Sequence, residues 1–303
     1  MKLSHIEAII AVTDAGSIRA AAARLGKTQS ALTKQIRQIE EEAGLALFLR
    51  TTRGVIPTKA GLAVLSRVRS VASEVSNLNE ELAWLRGNHR GQVRISAAPL
   101  AAVHLVPRAV ARFTQQHTDV DISVSSDLFG DALKALREGQ HDLIIGPHGA
   151  QSAKGEIEVE ELISTDLVVI TASDARHAKA SSLSELTDCY WAMMGDTAGS
   201  PKARFQEQFT RHDLTPPHIK LASESRQGLL ALVRELGAVC TYPAKLLDDL
   251  REDSGITAIP IKERLSPLTI SMASRAGKSL TPAGSYFADC IRHRAGVLRR
   301  EWG

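Results

Sequence analysis

Residues 15 to 44 leave little freedom about their local fold. "IRAAAARL" carries four consecutive alanines, Ala20 to Ala23, so the helix it forms has almost no bulk on one side and admits a close neighbour. Ser17 precedes this helix as an N-cap. Gly26 follows it, where a left-handed residue closes a helix, and Thr28 caps the next one. Upstream, Leu3, Ile6, Ile9, Ile10 and Thr13 make a helical apolar face that ends at Asp14-Ala15-Gly16. The spacing predicts helix, tight turn of about three residues, helix: a helix-turn-helix.

The second of these helices, "QSALTKQIRQIE", has two characters. Leu32, Ile36 and Ile39 share one face. Gln29, Thr33 and Arg37 recur at i, i+4 and i+8 on another, flanked by Ser30 and Lys34. Glutamine pairs bidentately with adenine, threonine offers a hydroxyl and a methyl, and lysine and arginine take phosphate or guanine. The free amides behind Thr28 suit a phosphate. Any solvated helix face can be polar. Together with the alanine-rich helix, the Gly26 stop and the Thr28 cap, this one points to duplex DNA. "LALFLRTTRGVIPT" then reads as a two-stranded wing: Leu45, Leu47 and Phe48 lead in, Thr51 to Gly54 turn, and Val55-Ile56-Pro57 return. Arg50 and Arg53 at its tip suit backbone or minor-groove contact.

Charge is distributed in the same sense. Residues 1–90 hold 13 Lys/Arg against 8 Asp/Glu, and the remainder 24 against 26, within a net charge of +3. A basic N-terminal segment on a near-neutral body fits a polyanion partner. The chain is 44% hydrophobic and 23% charged, which is ordinary for a soluble globular protein. No apolar run reaches the ~18–20 residues of a membrane span. Asp14 interrupts the first apolar stretch, so no signal peptide is read and the expected compartment is the cytoplasm. Cys189, Cys240 and Cys290 form no CxxC and read as reduced packing thiols.

"SIRAAAARLGKTQSALTKQIRQIEEEAGLALFLRTTRGVIPTKAG" resembles the winged helix-turn-helix of the LysR-type transcriptional regulators. The likeness runs nearly without gaps from Met1 to about Gly61, and as architecture over the whole chain. Many members carry Pro where Ser30 stands and Ser where Thr33 stands; both changes keep a similar shape or chemistry. The resemblance implies a DNA-binding domain at 1–58, with Thr28, Gln29, Ser30, Thr33, Lys34, Arg37, Arg50 and Arg53 at the DNA.

Thr58 caps a further helix from Lys59, in which Val71, Val75, Leu78, Leu82 and Leu85 repeat at spacings 4, 3, 4, 3. Leu62, Leu65 and Val68 extend that stripe. About 27 residues make a helix of roughly 40 Å. Such a seam needs burial, and a symmetric partner is the simplest supplier. The resemblance implies the same: a linker, 59–91, that pairs two chains, ending in the glycine-punctuated hinge "RGNHRGQ".

From Val93 strands and helices alternate. "VRISAA", "VDISVSSD", "DLIIGP", "LVVITAS", "YWAMMG", "IKLAS", "AVCTYP" and "LTISMAS" read as strands, with helical segments such as "LVPRAVARFTQQH" and "DALKALREGQ" between them. Thr281 and Pro282 open a last helix. This is α/β organisation. The resemblance supplies the topology, a periplasmic-binding-protein-like effector domain at 92–303. Its subdomain I is 92–163 plus 265–303, and its subdomain II is 164–264. Ligands of open α/β sheets sit at the carboxyl ends of strands. That rule nominates Ser96, Pro99, Leu100, Asp127, His148, Thr197, Ser200 and Glu224.

No GxSxG, HExxH, P-loop or dinucleotide glycine pattern occurs, so no catalytic residue, metal ligand or cofactor is expected. A solute receptor for a transporter leaves residues 1–60 unexplained, and an architectural DNA-binding protein leaves 93–303 unexplained. A ligand-gated regulator uses both. The resemblance further implies a small-molecule effector, favouring an organic acid or aromatic carboxylate, a homodimer through the linker helix whose effector domains pair as well to give a homotetramer, and RNA polymerase as a partner.

Overall fold

Alanine packing sets the geometry of the first three helices, α1 (Leu3–Ala15), α2 (Ile18–Arg24) and α3 (Gln29–Ala43). In the computed structural model, which describes residues 1–52, 54–127, 129–147, 155–195, 199–250 and 254–302, Ala8, Ala21 and Ala22 are fully covered. Leu32, Ile36 and Ile39 complete that core with Ile9 and Val12. Each such side chain removed from water contributes roughly 1.5–3 kcal/mol. Ser17 and Thr28 cap their helices as their positions predict, through Ala20 N–H and Ala31 N–H. Gly26 has φ 62°, the left-handed turn that lets α3 leave α2 sharply.

The wing is β1 (Phe48–Thr51) and β2 (Gly54–Pro57), antiparallel, with Thr51 opposite Gly54. Gly54 has φ 134°, and a Cβ there would strike the Gly16 carbonyl oxygen, which accepts Val55 N–H at 2.8 Å. The wing is thus pinned to the α1–α2 turn. Helix α4 (Lys59–Leu85) follows, capped by Thr58 through Gly61 N–H. Its apolar residues do not form one stripe. Leu65 and Val68 are buried in the winged-helix core, whereas Leu62, Val71, Leu78, Leu82 and Leu85 are exposed. Leu65 and Val68 therefore belong to their own domain and not to the seam. The expected lead-in residue Leu45 is also exposed, whereas Leu47 is buried in the core and half-buried Phe48 packs against it.

The remainder begins with β3 (Gly91–Ala97), α5 (Pro99–His104), α6 (Val106–Phe113), β4 (Val120–Ser125), α7 (Phe129–Arg137), β5 (Leu143–Gly146), β6 (Ile157–Thr165) and β7 (Leu167–Ala172). It continues with β8 (Trp191–Met194), α8 (Gly199–Thr210), β9 (Ile219–Ser223), α9 (Arg226–Leu236), β10 (Cys240–Pro243), α10 (Ala244–Asp248), β11 (Ile256–Ala258), β12 (Leu268–Arg275) and α11 (Pro282–Trp302). One sheet has the order β4-β3-β5-β12-β6, with β3 parallel to β4 and β5 and with β12 antiparallel to its neighbours. A second region holds β10-β7-β11 and the parallel pair β8-β9. A Trp191–Val239 bridge joins β8 to the residue before β10. The chain passes between the two regions twice, after Thr165 and between Ala258 and Leu268.

β6 and β11 were not among the strands expected from sequence. β6 carries Glu158, Glu160 and Glu161 and lies at a sheet edge, where charged residues discourage further pairing. Helix α11 covers the first sheet with Phe287, Ile291, Ala295 and Leu298, and Thr281 caps it through Gly284 N–H.

Candidate nucleic-acid interface and ligand cleft

Folding leaves Gln29, Ser30, Lys34 and Arg37 exposed on α3, opposite the buried Leu32–Ile36–Ile39 face. Thr28 is exposed at the cap, its hydroxyl 3.1 Å from that of Ser30. Thr33 donates its hydroxyl to the Gln29 carbonyl at 2.8 Å, which turns its methyl outward from that bond. Arg37 Nε donates to Glu41 Oε1 at 2.9 Å. An exposed i, i+4 pair of this kind is worth about 0.3–0.5 kcal/mol, so a phosphate or a guanine edge displaces it readily. Arg50 is exposed on β1. Arg53 lies outside the described residues. The α1–α2 turn and Glu40 both hold the wing against the winged-helix body beside α3; Glu40 Oε1 accepts Leu47 N–H and Phe48 N–H.

On α4, Val71, Leu78, Leu82 and Leu85 form an exposed apolar stripe with half-buried Val75; Leu78 is 55% and Leu85 77% exposed. Exposed leucines at heptad spacing are what a paired helix requires.

The two halves of the effector domain enclose a cavity of roughly 230 Å³. From the first half come Ala98, Pro99 and Leu100 at the start of α5, and Pro147. From the second come Met193 and Met194 on β8, Arg204, Phe205 and Gln208 on α8, Arg226 on α9 and Tyr242 on β10. Leu268 and Ile270 line it near a crossing strand. Most of the wall is apolar, and two arginines contribute to it. Burial pushes the Arg204 guanidinium below its ordinary range, against the opposing pull of Glu207. Arg226 Nε donates to Tyr242 Oη at 2.8 Å. Burial pushes the Tyr242 phenol up, and Arg226 pulls it back. Among the described residues no carboxylate forms an ion pair with either arginine. Gln208 is already engaged: its Oε1 accepts Ser266 N–H at 2.7 Å.

Of the effector residues nominated from sequence, Pro99 and Leu100 lie on this wall. Ser96 does not: it is buried beneath the strand ends, its hydroxyl 3.4 Å from Asp127 N–H. Asp127 takes the Ser125 hydroxyl at 2.5 Å and His141 Nε2 at 2.8 Å. Burial raises the Asp127 carboxyl, but hydrogen bonds from Ser125, Ser96 and His141 outweigh it, and the net position is below the usual range. Asp127 thus staples β4 to the turn before β5. Glu224 is exposed after β9 and off the wall. His148 and Thr197 lie outside the described residues, as does the side chain of Ser200 at the start of α8. The strand-end rule missed Arg204 and Arg226 because both sit on helices. Arg226 nevertheless left a trace in the sequence: it directly follows the cap Ser225, at the positive end of a helix, where a cation is disfavoured.

A winged helix-turn-helix joined by a long helix to a two-part ligand-binding domain defines a ligand-responsive DNA-binding regulator. The sequence matches the model for "Bacterial regulatory helix-turn-helix protein, lysR family" over residues 3–62 and that for "LysR substrate binding domain" over residues 86–296. The chain belongs to the LysR family of DNA-binding transcriptional regulators. It is 26% identical over 311 residues to the RuBisCO operon transcriptional regulator of Allochromatium vinosum, covering 100% of this chain and 99% of that one. It is 26% identical over 269 residues to the transcriptional regulator GbpR of Azospirillum brasilense, covering 88% and 78%. Among solved structures, the LysR family regulator CbnR superposes with TM-score 0.69 at 21% identity, covering 97% of this chain and 99% of that one. Full-length OxyR from Pseudomonas aeruginosa superposes with TM-score 0.70 at 20% identity, covering 96% and 95%. These two share the fold. No helix among the described residues is long and apolar enough to cross a membrane.

Proposed function

We propose that this regulator reads a partly palindromic operator with paired α3 helices, and that a small organic acid, with an aromatic carboxylate as one form, binds the cavity and controls it. The observation that carries the reading is the cavity itself: an apolar box with Arg204 and Arg226 on its wall and no carboxylate paired to either among the described residues. A desolvated guanidinium is stabilised by an anion, and the planar fork suits a carboxylate. At roughly 230 Å³ the cavity is below the ~300–1,000 Å³ of drug-sized sites, which points to a small metabolite.

The α4 stripe joins two chains, and effector domains pair in turn to give a homotetramer. Closing the cleft changes the angle between subunits, which alters DNA bending and contact with RNA polymerase. Such a protein acts where the chromosome is, in the cytoplasm. Thermal shift of the full chain against a panel of small carboxylates and their neutral amides tests the ligand class, because a ligand of the native state raises the midpoint. The expected result is a shift with an acid, none with its amide, and none in Arg204→Gln. Stabilisation by neutral amides as strong as by the acids would refute it.

A further inference from the structure

Helix α4 has a second long face, and it is polar. Arg69, Ser73, Glu74 and Asn77 turn toward the chain's own effector domain, away from the Leu78–Leu82 stripe. Arg69 stands between two carboxylates of different domains. Its Nη2 is 2.5 Å from Asp14 Oδ1 at the end of α1, and its Nη1 is 2.7 Å from Glu138 Oε2 just beyond α7. The Glu138 side chain is only 1% exposed. One turn further along α4, Ser73 packs against Gly139, where a Cβ would collide with the serine side chain. Glu74 forms ion pairs by proximity with the same subdomain: its Oε1 lies 2.9 Å from Arg275 Nη1 and its Oε2 3.3 Å from Lys278 Nζ, the first without hydrogen-bond geometry.

A carboxylate this deeply covered is not tolerated without its cation. Separating Glu138 from Arg69 is therefore costly, and the pair resists a change in the placement of the two domains. The ion pairs also account for the helix's directional bias. With the polar face committed to its own chain, the apolar face is the one left for a second copy.

We propose that Arg69 is a positioning residue for DNA binding. By joining Asp14 of the DNA-binding domain to Glu138 of the effector domain, it fixes the angle at which α3 is presented. Among the described residues the side-chain partners of Arg69 are Asp14 and Glu138 and include none of the recognition surface, so its loss changes orientation and leaves base contacts intact.

The test uses the full chain with Glu7→Cys and Lys134→Cys carrying spin labels. Both positions are exposed, and the native Cys189, Cys240 and Cys290 are buried. Labelled protein is mixed with excess unlabelled protein, so that distances within one chain dominate. The parent is expected to show one narrow distance distribution. Arg69→Gln and Glu138→Gln are expected to lose it, giving a broad or two-peaked distribution, with unchanged affinity for DNA bearing a single half-site. If either change prevents folding, Asp14→Asn, whose carboxylate is partly exposed, carries the same test from the DNA-binding side. A distribution as narrow as the parent's in the folded variants overturns the proposal. So does loss of half-site affinity, which would place Arg69 in the fold of the reader itself.

Discussion

Leu47 N–H donates to Glu40 Oε1 at 2.8 Å, and the same oxygen takes Phe48 N–H at 3.0 Å. One carboxylate thus ties the last turn of the recognition helix to the first residues of the wing, across the left-handed Gly44. In Glu40→Ala two partly buried amides lose their partner, at about 1–3 kcal/mol for each one left unsatisfied. The expected outcome is a stable but looser domain whose footprint keeps the major-groove contacts and loses the flank protected by Arg50. Glu40→Gln retains an acceptor oxygen and is expected to keep most of that flank. Hydroxyl-radical footprinting of the two variants checks this; equal footprints for Ala and parent would remove Glu40 from the wing's support.

The base-reading assignment rests on exposure and residue type. Gln29→Ala and Arg37→Ala are each expected to weaken specific binding by ~1–3 kcal/mol if each makes a bidentate base contact. Neither side chain is part of the buried core, so the thermal midpoint is expected to hold. Glu41→Ala frees Arg37 from its only salt bridge among the described residues and is expected to tighten binding slightly at low salt. Titration of operator and scrambled DNA by each variant measures the discrimination directly. Unchanged discrimination in both alanine variants would move the reading surface elsewhere.

Exposed leucines on α4 make the assembly testable. Leu78→Asp or Leu82→Asp leaves the monomer fold untouched, because both side chains already face outward. In a paired seam the same change buries a charge without a partner. Sedimentation over a range of concentrations is expected to show dissociation. A segment of residues 1–90 run beside the full chain separates this contact from any made by the effector domains. If that short segment associates equally well with aspartate at 78, the stripe does not pair chains.

The sequence was most legible where one local pattern has one solution. Caps at Ser17, Thr28, Thr58 and Thr281 and the stop at Gly26 depend on neighbours three residues away, and each is found in place. Periodicity failed where burial depends on distant chain. Leu65 and Leu78 look alike in a heptad, yet the first packs into the winged-helix core and the second is exposed and belongs to no core cluster among the described residues. β6 escaped notice because its glutamates break the apolar alternation of a strand that lies at a sheet edge. The cleft wall was the least legible part. Strand ends could be counted, but Arg204 and Arg226 reach the cavity from helices α8 and α9, and no spacing in the chain says that those helices converge.

Burial raises all three thiols above the ordinary range, and that of Cys240 is pushed up to about 12. The unfolded chain therefore loses this proton before the folded one does. Stability from Cys240 is complete below the ordinary thiol range and declines as pH rises toward about 12, by at most ~1.4 kcal/mol per pH unit. Native protein at pH 8 is expected to react with no thiol reagent until denaturant is added. Urea melts between pH 8 and 10 are expected to show a shallower decline in Cys240→Ala than in the parent. Rapid modification of the native thiols would contradict their packing role.

His104 Nε2 lies 2.9 Å from Asp249 Oδ2, joining the end of α5 to the residue after α10. Both helices start at the cavity wall, with Pro99 and Leu100 on one and Leu246 on the other. His104 is fixed to the first half of the domain: its ring meets Trp302 edge-on, and its carbonyl accepts Arg294 Nε–H at 3.1 Å. The pair therefore spans the cleft, one helix length from the cavity wall. The contact is an ion pair only with the imidazole protonated, it lacks hydrogen-bond geometry, and both groups are partly exposed, so it is worth at most ~1 kcal/mol. Asp249→Asn removes the charge and is expected to weaken binding of an acid identified by thermal shift, by up to about fivefold. Faster amide exchange along α5 and α10 is expected to accompany it, since both ends of the closed form are loosened. Calorimetric titration and hydrogen exchange on the same preparations make the comparison. If both affinity and exchange match the parent, the pair does not hold the cleft, and closure rests on the apolar wall alone.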